Sequence, residues 1–213
     1  MKLKARFEAR PRALADGKPQ GSGERNRHGM PKLPVGQTPS KKWPVLDLGE
    51  LPQVTQESFR LVIDGAVDSP YELDFAGLLA LPQVEDESDF HCVTTWSRMD
   101  LRWVGVLLAD VLALASPRAR ATHLMCHGSD GYSTNIALEE ACKPDVLLAH
   151  AVDGAPLPAE HGGPVRVITP QLYAWKGAKW VSRLELMIGD RPGFWEQRGY
   201  SMTADPWRDD RYG

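Results

Sequence analysis

The chain has 213 residues, of which 42% are hydrophobic, so it is long enough for one folded domain with a substantial core. Its three cysteines have no repeated spacing, which argues against a disulfide framework and favours a reducing compartment. No apolar run is long enough to span a membrane, and the basic N-terminus lacks the apolar stretch of an export signal. We therefore expect a cytoplasmic protein.

Charge is unevenly distributed along the chain. The net charge is −3, yet residues 1–42 contain eleven Lys and Arg against three Asp and Glu. Pro and Gly interrupt these basic residues and few aromatic side chains accompany them, so nucleic-acid binding is the weaker interpretation. We expect residues 1–45 to form an irregular basic arm, either solvated or wrapped around the domain, and residues 46–213 to form the folded domain.

The first half of the domain predicts strands and short helices. Alternating apolar residues in FRLVIDGAV (59–67) indicate a strand, and LDFAGLLALP (73–82) indicates a short helix that Asp74 caps. DFHCVTTW (89–96) is a strand candidate, and GVLLADVLALA (105–115) has the apolar spacing of a helix. These predicted elements place Cys92 near the transition from a strand to a helix.

The second half is richer in strands. ATHLMCHGSDGYSTNI (121–136) predicts two strands joined by a turn, and DVLLAHAVDGAPLP (145–158) predicts a hairpin at its Asp-Gly pair. PVRVITP (164–170) and WVSRLELMIG (180–189) are further strand candidates. Many short strands, few long helices and no internal repeat favour the α+β class.

One segment has the composition of an anion site. HGGPVRVITPQLYAWKGAKW (161–180) contains three glycines that allow close backbone approach, together with His161, Arg166, Lys176 and Lys179. Arginine and lysine are common phosphate ligands. The segment contains neither a Walker A nor a dinucleotide-binding motif. From composition alone, the favoured interpretation is that these cations are solvated surface residues.

Cysteine offers two further interpretations. His91 and Cys92 are adjacent, and His123, Cys126 and His127 form a second local group with the residue types of a zinc site. Neighbouring strand residues point to opposite faces, so His91 and Cys92 are not expected to share one ion. Cys92 itself has three possible roles: a buried structural thiol, a thiolate nucleophile or a ligand to a soft metal.

Together these segments resemble the molybdopterin-binding catalytic domain of the sulfite oxidase family. The similarity lies in DFHCVTTWSRMDLRWVGVLLADVL (89–112) and in the segment from GYSTNI to WVSRLEL (131–186), and it extends over residues 44–208. Within the family the chain is most similar to the bacterial branch that includes the periplasmic methionine-sulfoxide reductase subunit. The resemblance implies an α+β fold of mixed sheets with short helices.

The resemblance also implies a cofactor and its ligands. Cys92 occupies the position of the protein ligand to molybdenum, whose other ligands include the dithiolene sulfurs of the pterin. Arg166 and Lys179 match the positions that hold the terminal phosphate of molybdopterin. His161 and Lys176 match further residues of the pterin site. The implied cofactor is molybdenum-molybdopterin without an attached nucleotide, and without haem.

The remaining assignments concern the substrate side and the surroundings of the metal. Tyr200 falls where sulfite oxidases keep an active-site tyrosine, and we place Trp96 beside it at the substrate face. His91, Thr94 and Tyr173 complete the expected set of cofactor-binding residues.

One departure from the family pattern affects the substrate. Sulfite oxidases follow the metal-binding cysteine with AGNRR, whose arginine helps to bind sulfite, whereas this chain has VTTWSR (93–98). The expected function is therefore oxygen-atom transfer to or from a small substrate of sulfite or sulfoxide type, with electrons passed to a separate partner. The alternative is a non-catalytic module of the same fold that carries the cofactor or mediates interactions.

Overall fold

Two mixed β-sheets form the framework of this computed structural model, which describes residues 18–213. The strands are β1 (Gly21–Arg25), β2 (Pro31–Pro34), β3 (Thr38–Pro39), β4 (Arg60–Gly65), β5 (Tyr71–Asp74), β6 (Val84–Cys92), β7 (Trp96–Leu107), β8 (His123–Gly128), β9 (Ser133–Ala137), β10 (Leu147–Val152), β11 (Ala155–Pro156), β12 (Arg166–Ile168) and β13 (Val181–Met187). The five-stranded sheet has the order β5-β4-β13-β8-β9, in which β4 and β13 run parallel. The six-stranded sheet has the order β11-β10-β7-β3, with β12 beside β10 and β6 beside β7.

The helices are short and connect the strands. The α-helices are α1 (Phe75–Ala80), α2 (Leu108–Ala113) and α3 (Leu138–Ala141), and the 3₁₀ helices are Ala159–His161, Ala174–Lys176, Glu196–Arg198 and Pro206–Arg208. Asp74 caps α1 as expected, because its Oδ1 accepts a hydrogen bond of 2.7 Å from the amide of Gly77. The mixed sheets and short helices confirm the α+β class.

The main core lies between the two sheets. Leu61 and Ile63 of β4 and Leu184 of β13 face Val106 of β7 and Leu148 of β10 in one buried cluster. The short helices contribute to the same cluster through buried side chains, namely Leu78, Leu108, Val111 and Leu112. A smaller cluster on the opposite side of the six-stranded sheet contains Leu101, Trp103, Leu147, Ala149, Val152, Leu157 and Ile168. The six-stranded sheet is therefore covered by apolar side chains on both faces.

The structure corrects the expected surroundings of Cys92. This residue ends β6, and residues 93–95 form a turn that leads directly into the antiparallel strand β7, so Cys92 lies in a hairpin and not before a helix. The segment predicted as a helix over residues 105–115 is helical only from Leu108 to Ala113, because residues 105–107 continue β7 and pair with β10. Apolar runs buried on both faces have no strand periodicity, which explains the difference.

The described part of the N-terminal arm is also more regular than expected. β1 and β2 form an antiparallel hairpin, and β3 pairs in parallel with the start of β7. The side chains of β1 are exposed, so its sequence has no apolar alternation, and backbone hydrogen bonds form the strand. Polar contacts hold the arm against the domain: Arg27 forms an ion pair with Asp86 at 2.5 Å, and Nε2 of His28 lies 2.8 Å from Oδ2 of Asp145. Residues 1–17 of the predicted arm lie outside the described residues.

Candidate functional site

A cavity of about 390 Å³ opens beside the turn that follows Cys92. It is formed by the end of β6, the start of β7, the segment that begins at Arg166 and the C-terminal segment around Tyr200. Among the residues predicted from the sequence, the cavity brings together Cys92, Thr94, Trp96, His161, Arg166, Lys179 and Tyr200. These residues are separated by more than half of the chain, and only the tertiary fold joins them in one site.

Local hydrogen bonds position Cys92, which lines the cavity. Its carbonyl oxygen accepts a hydrogen bond of 3.1 Å from the amide of Thr95, whose φ of 78° lies in the left-handed region. Its Sγ lies 3.1 Å from Oγ1 of Thr94. Burial raises the pKa of the Cys92 thiol, so the free side chain is a weak nucleophile at neutral pH. A bound soft metal cation would lower the pKa of this thiol, because the metal favours the thiolate form.

Arg166 and Lys179 supply positive charge to the lining of the cavity. The Arg166 side chain is almost fully buried, and it donates hydrogen bonds to the carbonyl oxygens of His161 at 2.9 Å and Gly177 at 3.1 Å. Burial lowers the pKa of Arg166 to about 10. Lys179 donates to the carbonyl oxygen of Glu160 at 3.0 Å, and burial together with the Arg166 charge lowers its pKa to about 8. Both side chains are cationic at neutral pH and can bind an anion.

Gly177 and His161 lie beside Arg166 and complete this part of the site. A Cβ atom at Gly177 would lie 2.5 Å from the carbonyl oxygen of Val167, so a larger residue would displace the backbone beside Arg166. Burial and the neighbouring Arg166 charge lower the pKa of His161 to about 4. The imidazole is therefore neutral at pH 7 and can accept or donate a hydrogen bond without adding charge.

Aromatic rings form one wall of the cavity, the aromatic wall. Tyr200 packs edge-on against Trp175 with ring centroids 5.2 Å apart, and it lies 5.1 Å from the ring of Trp195. Trp96 stacks on Phe90 at 5.8 Å. Burial, Tyr212 and the charge of a Cys92 thiolate raise the pKa of Tyr200, so its hydroxyl stays protonated and can donate a hydrogen bond. The aromatic wall is therefore largely apolar, and the Tyr200 phenol is a hydrogen-bond donor within it.

Three of the predicted cofactor-binding residues do not line this cavity. His91 points to the opposite face of β6, where its Nδ1 lies 2.8 Å from Oγ of Ser97, because adjacent strand residues alternate. The Tyr173 hydroxyl donates to Asp209 at 3.2 Å. Lys176 points into the protein interior, where its Nζ lies 2.7 Å from Oε1 of Glu196.

The second histidine and cysteine group does not form a metal site. Cys126 is fully buried in the core cluster, and burial raises the pKa of its thiol to about 12. His127 instead contacts Glu185, with Nε2 and Oε2 3.1 Å apart. In residues 18–213 no group of three or more His, Cys, Asp or Glu side chains has an arrangement that could hold a metal ion.

Sequence reasoning missed several residues that line the cavity. Trp43, Trp175 and Trp195 contribute to its walls, as do Asp130 and Tyr132. The seven tryptophans of the chain are a composition signal, but a sequence alone does not show which of them face a cavity. Arg98, the arginine nearest to the family's sulfite-binding position, does not line the cavity because it pairs with Asp153 at 2.8 Å and lies over the Trp43 ring.

The side chains of the cavity fit a phosphorylated metal cofactor. The same cavity contains a thiol that can bind a soft metal, together with a buried arginine and a partly buried lysine that can bind a phosphate. Such an arrangement defines a protein that binds a metal cofactor carrying an anionic group. Comparisons with known proteins identify the family.

The chain matches the family model described as "oxidoreductase molybdopterin binding domain" over residues 48–195. It is 38% identical to the uncharacterized oxidoreductase YuiH of Bacillus subtilis, over 85% of this chain and 92% of that protein. It is 32% identical to the protein-methionine-sulfoxide reductase catalytic subunit MsrP of Gluconobacter oxydans, over 68% of this chain and 54% of that protein. It is also 38% identical to the mitochondrial sulfite oxidase of Rattus norvegicus, over 49% of this chain and 21% of that protein.

A solved structure shows the same fold. The sulfane dehydrogenase SoxCD from Paracoccus pantotrophus aligns with a TM-score of 0.63 and 23% identity, over 70% of this chain and 42% of that chain. The chain therefore belongs to the oxidoreductase molybdopterin-binding domain family, of the sulfite oxidase and MsrP type, which confirms the resemblance and the enzyme class. It spans nearly all of YuiH, about half of MsrP and about a fifth of the sulfite oxidase.

Proposed function

We propose that this enzyme transfers an oxygen atom to or from a small substrate of sulfite or sulfoxide type at a molybdenum-molybdopterin cofactor in the Cys92 cavity. The observation that carries the proposal is the placement of a buried thiol, a buried arginine and a partly buried lysine in one cavity. When bound, the cofactor would supply the two-electron redox chemistry that protein side chains lack.

Each side chain of the cavity has a role in this proposal. Cys92 provides the thiolate ligand to molybdenum, and Arg166 and Lys179 hold the terminal phosphate. His161 contacts the pterin as a neutral hydrogen-bonding group. The aromatic wall, including Trp96, excludes water, and Tyr200 donates a hydrogen bond to an oxygen of the substrate. Because Arg98 is engaged with Asp153, it is not assigned to substrate binding.

The form of the cofactor and the route of its electrons belong to the same proposal. Arg166 and Lys179 line the cavity itself, which suits a pterin that ends in a phosphate and carries no nucleotide. We further propose that the enzyme is free of haem, works in the cytoplasm and exchanges electrons with a separate protein. The description of MsrP as a catalytic subunit supports a separate partner. Among residues 18–213, no helix has the length and apolar character needed to cross a bilayer.

The proposal is tested by cofactor content and turnover. The wild-type chain, Cys92→Ala and Cys142→Ala are produced in cells that make molybdopterin, and molybdenum and pterin are measured on each protein. We expect equimolar molybdenum and pterin in the wild type, loss of molybdenum in Cys92→Ala, and no change in Cys142→Ala, whose thiol lies outside the cavity.

Turnover then distinguishes an enzyme from a carrier of the cofactor. The loaded wild type is assayed with a reduced viologen and an organic sulfoxide, and with ferricyanide and sulfite. Activity in either assay that Cys92→Ala lacks supports the proposal. A wild type without molybdenum or pterin, or a loaded protein that is inactive in both assays, contradicts it.

A further inference from the structure

The N-terminal arm reaches the turn that follows Cys92. β3 pairs in parallel with β7, with Thr38 opposite Trp96. The Thr38 amide donates to the carbonyl oxygen of Thr95 at 3.0 Å, and the Ser40 amide donates to that of Ser97 at 2.8 Å. These residues precede the family match, which begins at residue 48. The arm therefore adds an outer strand to the part of the sheet that presents the thiol.

Gln37, just before β3, bridges this strand to Cys92. Its buried side chain donates from Nε2 to the Cys92 carbonyl oxygen at 3.2 Å, and its Oε1 accepts from Oγ of Ser97 at 3.1 Å. Because the single Ser97 hydroxyl proton is used by Gln37, the His91 Nδ1 atom, 2.8 Å from Oγ, must be the donor in their hydrogen bond. Gln37, Ser97 and His91 form one directional chain behind the thiol.

Trp43 makes the second contact of the arm with the site. Its ring stacks on the imidazole of His161, with centroids 3.7 Å apart and planes 6° apart. It packs edge-on against Phe90 at 5.8 Å and Trp103 at 5.7 Å, which fixes the orientation of the indole. Trp43 and His161 both line the cavity. The stack covers one face of the imidazole and restricts its rotation.

We propose that residues 37–43 of the arm belong to the cofactor site, in which Gln37 and Trp43 are positioning residues. Gln37 orients the Cys92 backbone, and thereby the sulfur, at the metal end of the cavity. Trp43 orients His161 at the pterin. This inference rests on the proposed function, because it assigns the two residues to the binding of the same cofactor.

We expect substitutions at the two residues to change the cofactor content in different ways. Gln37→Leu keeps the approximate volume of the side chain and removes both hydrogen bonds, so molybdenum is lost while pterin remains. Groups that orient metal ligands typically contribute about 10- to 100-fold to metal affinity, so we expect at least about a 10-fold loss of molybdenum to a competing chelator. In Trp43→Ala, molybdenum and pterin fall together, and Trp43→Phe restores most of both because a ring can still stack.

The matched control is Lys32→Ala, in the same arm. Lys32 pairs with Asp100 of β7 at 2.5 Å on the surface, and neither residue lines the cavity. The control should keep wild-type molybdenum, pterin and thermal unfolding temperature. Circular dichroism checks the fold of every variant. If Gln37→Leu or Trp43→Ala is unfolded, Gln37→Glu, which lacks the amide donor, and Trp43→Leu, which fills space without a ring that can stack on His161, provide the decisive comparison.

The electron paramagnetic resonance spectrum of the molybdenum provides a readout that a purely structural role would not change. We expect the spectrum of the metal retained by the Gln37 variant to differ from that of the wild type and of Lys32→Ala. Wild-type metal, pterin and spectra in a folded Gln37→Leu or Gln37→Glu protein and in a folded Trp43→Ala or Trp43→Leu protein would overturn this inference and leave the proposed function intact. A wild type that contains no cofactor would contradict both.

Discussion

Nζ of Lys176 lies 2.7 Å from Oε1 of Glu196, and both side chains are completely buried. The same carboxylate oxygen accepts hydrogen bonds from Trp175 at 2.9 Å and Thr134 at 3.0 Å. Trp175 lines the cavity, whereas Lys176 does not. The ion pair therefore supports the aromatic wall from behind, and Lys176 acts on the site through packing.

Replacing Lys176 with methionine tests this structural role. The change leaves a buried carboxylate without its cation, which typically costs about 3–5 kcal/mol of unfolding free energy. Lys143→Met is the control, because Lys143 pairs with Glu140 at 2.6 Å in a partly exposed position, where ion pairs contribute about 0–1 kcal/mol. Urea unfolding of the cofactor-free proteins measures both. If Lys176→Met were as stable as the wild type and lacked pterin, a direct role in cofactor binding would be supported instead.

Anion binding by the cofactor-free protein should weaken at alkaline pH. The pKa of Lys179 is lowered to about 8, so its charge is lost as the pH rises through this value, while Arg166, with a pKa of about 10, remains charged. Titration with inorganic phosphate, already dianionic at pH 8, should show falling affinity between pH 8 and about 9.5. Lys179→Arg should remove this dependence, because arginine stays protonated. An equally steep profile in this variant would contradict the assignment.

The lowered pKa of Lys179 also makes the unfolding free energy depend on pH. Above pH 8 the unfolded chain binds a proton at Lys179 more readily than the folded chain does, because the ordinary pKa of lysine is 10.5. The contribution of Lys179 to the unfolding free energy therefore increases with pH from about 8 to 10.5. The difference between the wild type and Lys179→Met in urea unfolding at several pH values measures this contribution.

Tyr200→Phe should separate turnover from cofactor binding. Phenylalanine keeps the packing against Trp175 and Trp195 and removes only the hydroxyl, so molybdenum and pterin contents should not change. Loss of one hydrogen bond to the substrate in the transition state predicts about a 10-fold lower kcat/KM, equivalent to about 1.4 kcal/mol. Tyr71→Phe, at an exposed position of β5, is the control. Unchanged kcat/KM in Tyr200→Phe would exclude the proposed donor role.

Thiol labelling should distinguish the three cysteines. Cys142 is exposed, whereas Cys92 and Cys126 are buried. Burial raises the pKa of all three thiols, so access of the reagent is what separates them. The native cofactor-free protein should show one fast-reacting thiol, which Cys142→Ala removes. A slower second phase, absent in Cys92→Ala and suppressed in the loaded enzyme, should report on the cavity. Fast labelling at Cys126 would contradict its burial in the core.

The sequence by itself predicted the α+β class, most of the strands and the capped helix at Asp74, because local periodicity and capping chemistry are contained in short segments. Its motifs also identified the family, and they named Cys92, Arg166 and Lys179, which the fold joins in one cavity. Strand and helix could not be separated around residues 105–107, where both faces are buried and periodicity is lost.

Only the tertiary structure decided which side chains meet. Lys176 and Lys179 are three residues apart, yet one points into the interior toward Glu196 and the other lines the cavity. Gln37 and Trp43 belong to a segment whose sequence has no strand pattern, and their roles depend on contacts with residues more than 50 positions away in the chain. Such contacts result from packing between segments that are distant in the chain, and local sequence patterns do not predict that packing.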